Sequence, residues 1–172
     1  MGQRKTKEEQ RIEALCDQRK FSTTVVYWKA YKILGRYRDI RTLPAIITTD
    51  VELFREKAIG MIRDKFYKCY VEKKCAVTGS IDSILSDFLS LEFADDIIEH
   101  VFERMHAMKF TADEYRPIIE YNFIYPEQLP DDQIQCEIGM SRASYYRKKR
   151  LAIILFGILL WNEMLEYCGL CA

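Results

Sequence analysis

Glycine and proline are scarce, seven and four among 172 residues, and this excludes a collagen-like chain, a flexible linker and a turn-dense sandwich. Histidine is scarcer. The two present, His100 and His106, are six residues apart and do not stack on one helical face. No Gly-rich phosphate loop, HExxH pair or Ser-His-Asp order occurs, so an enzyme is the least favoured class of function. The adjacent acids Asp95 and Asp96 point in different directions on a helix and read as a solvated first turn. Cys168-Gly-Leu-Cys171 has metal-ligand spacing, but a structural zinc needs about four ligands and no second such pair exists. We expect neither metal nor cofactor. Residues 1–20 are polar and lack an apolar signal core, so the expectation is a reducing cytosol in which the six cysteines are mostly small buried hydrophobes.

What is abundant is apolar residues, at 49% of the chain, enough for a core without disulfides or metals. Charge balances at 26 basic and 26 acidic side chains but is segregated. Residues 1–41 carry eleven Lys/Arg against five Asp/Glu, and 42–141 carry ten against nineteen. Residues 142–150 carry five basic groups and no acid, and the remaining tail adds only Glu163 and Glu166. Two basic segments flanking an acidic middle can attract a polyanion, because screening makes local fields outweigh the total.

Apolar residues recur at helical spacing almost throughout, and the only strand-like run is Pro44 to Thr48. The predicted fold is all-α, with a helical N-terminal region (1–109) for dimerisation or partner contact and a C-terminal domain (110–172). Arg4 to Lys20 reads as a frayed or surface helix. Ser22-Thr23 starts a second, with Tyr27, Tyr31 and Leu34 on one face and Trp28 beside them, stopped at Leu43-Pro44. Thr49-x-x-Glu52 is a capping box for a third helix to about Tyr70, and 81–89 is a short amphipathic segment. Ala94, Ile98, Val101, Met105 and Met108 are spaced 4-3-4-3, too short a repeat to separate a dimer seam from a bundle helix. Thr111-Ala-Asp-Glu114 caps a further helix through Ile118, Ile119 and Phe123.

The most specific pattern follows. Pro130-Asp-Asp132 is helix first-turn chemistry, Ile134 and Ile138 give a short helix a buried face, Gly139 ends it, and Ser141 caps the next. That next helix opens Arg142-Ala-Ser-Tyr-Tyr-Arg-Lys-Lys-Arg150. Short helix, glycine turn and basic helix make a helix-turn-helix, whose second helix enters the major groove with its N-terminal residues toward base edges. Capped by Ser141, the helix presents Arg142, Ser144, Tyr146 and Arg147 to bases or phosphates, with Tyr145 turned inward and Lys148, Lys149 and Arg150 contributing charge toward the phosphate backbone. Beyond it, Leu151 to Trp161 is eleven residues without a charge, a long apolar terminal helix that must be covered on every side, one face by the helix-turn-helix core and the other by the N-terminal region or a second subunit. A membrane span needs about 20 apolar residues, so a membrane anchor is disfavoured.

At these positions the chain resembles the ArpU-type phage transcriptional regulators, similar in pattern to region four of bacterial sigma factors. The resemblance rests on Tyr121-Asn-Phe-Ile-Tyr125 and on Asp132-Gln-Ile-Gln-Cys-Glu-Ile-Gly-Met-Ser-Arg-Ala-Ser-Tyr-Tyr-Arg-Lys-Lys-Arg-Leu-Ala-Ile153, with a weaker echo at Tyr31 to Ile40. About 30 residues match with moderate specificity, and the acidic middle contributes little. The resemblance implies a phage- or prophage-encoded regulator of late genes in the bacterial cytoplasm, reading promoter double-stranded DNA. Lys148 departs from the pattern, standing where an aliphatic residue is common, and the 151–161 run exceeds what the motif needs. Whether the protein acts as a homodimer or as a monomer with RNA polymerase is open. The alternative is a non-enzymatic assembly or membrane-associated protein that uses residues 151–161.

Overall fold

The structure, a computed structural model, describes residues 5–41, 94–108 and 112–167. Every regular element among them is helical: α1 (Lys7–Gln18), α2 (Thr23–Arg41), α3 (Ala94–Ala107), α4 (Ala112–Ile119), α5 (Asp131–Glu137) and α6 (Arg142–Tyr167). The helix and segment expected at 49–70 and 81–89, the strand-like 44–48, the Pro44 stop, the Thr111 cap and the Cys168–Cys171 pair lie outside the described residues.

The 26 residues of α6 make a rod about 39 Å long at 1.5 Å per residue. A helix apolar on all sides demands partners on all sides. They come from this chain: α1, α2, α3 and α4 all pack on α6, and every residue from Leu151 to Trp161 except Gly157 is buried. The cover expected from either the N-terminal region or a second subunit is therefore intramolecular. Each fully buried Leu, Ile or Phe contributes roughly 1.5–3 kcal/mol, so this helix organises the core. The buried side chains of α1, α2 and α3 join those of α4, α5 and α6 in one cluster. Among the described residues, buried side chains from both sides of residue 109 share this cluster.

Local chemistry sets the elements. α1 is not the frayed surface helix anticipated. The Thr6 hydroxyl accepts from the Glu9 amide and the Glu9 carboxylate accepts from the Thr6 amide, a complete capping box, and Ile12 and Cys16 are buried. Burial pushes the Cys16 thiol up to about 11, as for a cysteine that packs as a hydrophobe; Cys136, by contrast, is exposed.

The inward face of α2 differs from the expected one. Val26, Ala30, Ile33, Leu34 and Tyr37 are buried, while Tyr31 and Trp28 are exposed. The reason lies at Gly157, where α2 and α6 approach so closely that a Cβ on the glycine would lie 2.7 Å from the Ala30 Cβ and 3.0 Å from a Val26 methyl. Small residues at the crossing rotate α2 and carry Tyr27 and Tyr31 to the edge.

In α3, Ala94, Ile98, Val101 and Met105 are buried, together with Ile97 and Phe102, and Phe102 meets Phe156 of α6 at 5.8 Å between ring centroids. The heptad-like stripe is used inside the bundle. Glu163, almost buried on α6, is held by Arg104 of α3, which also binds Glu166. Asp95 is more than a solvated first-turn acid, since the Tyr37 hydroxyl of α2 donates to it. Arg116 of α4 chelates Glu99 of α3 at 2.6 and 3.0 Å.

Gly157→Ala separates crowding from helix propensity. Alanine should gain up to about 1 kcal/mol of propensity but lose about 1–3 kcal/mol to overpacking, giving a net loss in urea denaturation at unchanged m-value. In an Ala30→Gly background the loss caused by the same change should shrink, because the nearer of the two clashing atoms is gone.

Candidate nucleic-acid interface

Pro130 flanks the N-terminus of α5, and Asp131 and Asp132 occupy its first turn, where carboxylates complement the free N–H groups. Its end is a Schellman turn. The Gly139 amide donates to the Cys136 carbonyl at 3.2 Å and the Met140 amide to the Gln135 carbonyl at 3.0 Å. Gly139 sits at φ 66°, a left-handed conformation that glycine adopts without steric cost. The Ser141 hydroxyl then accepts from the Ser144 amide at 3.4 Å, and the Tyr145 amide donates to the Ser141 carbonyl at 2.9 Å to begin α6.

One buried network sets the angle between α5 and α6. The Tyr145 hydroxyl, with its ring fully buried, donates to Asp131 Oδ1 at 2.6 Å and accepts from Asn122 Nδ2 at 2.9 Å. Asn122 donates its second amide hydrogen to the Ile118 carbonyl at 2.7 Å. It reaches this position because α4 continues into a π-helical turn, Glu120–Ile124, closed by the Tyr125 amide on the Glu120 carbonyl at 2.9 Å. Lys149 completes the group at 2.6 Å from Asp131. Burial alone would raise the Asp131 carboxyl, but the bonds from Lys149 and Tyr145 outweigh it and hold it below the usual carboxylate range. Burial, with the Asp131 carboxylate in support, pushes the Tyr145 hydroxyl up.

The sequence-predicted residues divide into two sets. Arg142, Tyr146, Arg147 and Arg150 are exposed, and Ser144 is half-buried beside its capping residue Ser141. Lys148 and Lys149 do not stand free as cations for phosphate. The Lys148 side chain is 14% exposed and bound to Glu114 of α4, and that of Lys149 is 15% exposed and bound to Asp131. A lysine at the aliphatic position 148 thus lays its stem along the helix and pairs its ammonium at the rim. One turn of helix carries successive cations right round the axis, and only those clear of α4 and α5 reach solvent.

Three contributors escaped the sequence reading. Asn122 and Asp131 hold α6 through Tyr145, and Arg38 of α2 donates to the Asn122 carbonyl at 3.2 Å. An asparagine inside the aromatic run Tyr121 to Tyr125 was the one available signal. Tyr31, Arg38, Asn122, Asp131 and Lys149 line a polar cleft of about 350 Å³ that joins α2 to the start of α6. Among the described residues, no group of three His, Cys, Asp or Glu side chains is placed to hold a metal, and no helix is long and apolar enough to cross a membrane. Comparison with protein-family models, curated proteins and solved structures finds no match.

Tyr145→Phe should cost about 1–3 kcal/mol by leaving buried partners unsatisfied, and Tyr146→Phe, whose exposed hydroxyl is a weaker partner of Asp131, should cost less, both measured by urea denaturation. Because the folded-state pKa of Asp131 lies below its unfolded value of about 3.9, its contribution is complete above that pH and is lost as pH falls through the folded value. Asp131→Asn should flatten this acid limb of the stability curve.

Proposed function

We propose that the protein is a sequence-specific DNA-binding transcriptional regulator, in which α5 and α6 act as a helix-turn-helix and the start of α6 reads the major groove. The observation that carries this reading is the exposure of Arg142, Tyr146, Arg147 and Arg150 over the first turns of a helix whose 151–161 run is fixed in the core. A reading helix has to be rigid and cationic at once. The helix dipole at the start of α6 adds partial positive charge for a phosphate oxygen. Arg142 and Arg147 are suited to bidentate contact with guanine, and Arg150 and Tyr146 to the sugar-phosphate strand.

The resemblance of the 132–153 segment to the ArpU-type pattern extends the proposal to a phage- or prophage-encoded regulator of late promoters in a bacterial host, acting as a dimer or beside RNA polymerase. The competing reading, membrane association or assembly through residues 151–161, loses its basis because that run is consumed inside the core.

Retention of duplexes enriched from a random library by the full chain tests the proposal in a gel-shift assay. Arg147→Ala should weaken binding by roughly tenfold or more, given about 1–3 kcal/mol for a bidentate base contact. Unchanged retention would remove the assignment. Lys149→Gln should act chiefly on stability, since its ammonium is committed to Asp131.

A further inference from the structure

The start of α6 does not end in neutral surface. From Gln18 to Arg38 the chain contains no acid and six cations, Arg19, Lys20, Lys29, Lys32, Arg36 and Arg38. From Ile138 to Asn162 it again contains no acid. These two acid-free segments pack antiparallel. Phe21 meets Trp161 at 5.5 Å between ring centroids, Ala30 faces Gly157, and Tyr31 and Arg38 share a cleft with Lys149.

The junction between them is aromatic. The Arg150 guanidinium lies 5.9 Å from the centre of the Tyr27 ring. Tyr27 meets Trp28 edge-on at 5.2 Å and stacks with Tyr31 at 6.0 Å. Trp28 is 56% exposed, and Lys32, one turn further along α2, is exposed as well. Large aromatics left in solvent among cations, with no acid on their own helix before Asp39, match an anionic polymer with flat and apolar parts better than a protein face.

Resting on the DNA-binding reading, we infer that α2 forms a second contact with the same duplex, its Trp28, Tyr31 and Lys32 engaging the sugar-phosphate strand that flanks the groove occupied by α6. Arg150 on Tyr27 joins the two contacts into one surface. Tyr31 and Trp28 supply hydroxyl and indole donors to phosphate and rings against deoxyribose, and Lys32 supplies charge. The footprint is therefore longer than one reading helix covers, and α2 adds affinity with little base preference.

The test uses the full chain and two duplexes carrying the same library-enriched sequence: one trimmed to the α6 footprint, the other extended by about half a helical turn on each side. Wild-type protein should bind the extended duplex about tenfold more tightly. The Trp28→Ala/Lys32→Gln variant should bind both duplexes alike, and Lys32→Gln alone should reduce the slope of log affinity against log salt by about 1. Acrylamide quenching of the exposed Trp28 should fall on the extended duplex only, Trp161 being buried in either case. If the variant keeps the flank advantage, or Trp28 gains no protection, the α2 contact is overturned while the α6 reading stands. If wild-type protein retains neither duplex, the DNA-binding reading fails first. A loss of self-association in Trp28→Ala, seen by sedimentation with DNA affinity intact, would make the patch a protein interface and overturn the inference.

Discussion

A helical segment apolar on every side has to be covered on every side, and the described fold is the arrangement that meets this demand for residues 151–161. Four helices surround it. The closest approach, at Gly157 against Ala30 and Val26, sets how α2 lies on α6, and that in turn decides which α2 side chains enter the core and which reach solvent. The aromatic patch of α2 is thus a consequence of a contact between three small or branched residues.

Rigidity at one end of α6 permits exposure at the other. The first turns of the helix take their orientation from a short polar network around the buried Tyr145. Tyr145, Asn122, Asp131 and Lys149 are each bonded to another member of it. Buried polar groups are costly when unpaired and specific when fully paired, so the network holds α5 and α6 at one angle. It also consumes Lys149, as Glu114 consumes Lys148. The cations left exposed are Arg142, Arg147 and Arg150.

Much of this was legible from local chemistry. The all-helical class followed from apolar spacing, and the short helix, glycine turn and serine cap from residues whose backbone preferences act within four or five positions. Tyr145 as the inward residue followed from the same 100° step that turns Arg142 and Tyr146 outward. The unread features depend on distant partners. The π-helical turn at 120–124 has no compositional mark, the pairing of Lys148 and Lys149 requires knowing where Glu114 and Asp131 lie, and the depth of α1 follows from its docking on α6.

Order of residues alone determined that this chain forms helices, where a tight turn joins α5 to α6, and that a cluster of five cations without an acid opens the last helix. Tertiary structure decided which of those cations remain exposed, which face of α2 is inside, and that the two basic segments meet. The physical reason is range: capping, periodicity and turn preference act between near neighbours, whereas ion pairing and burial depend on groups that only folding brings together.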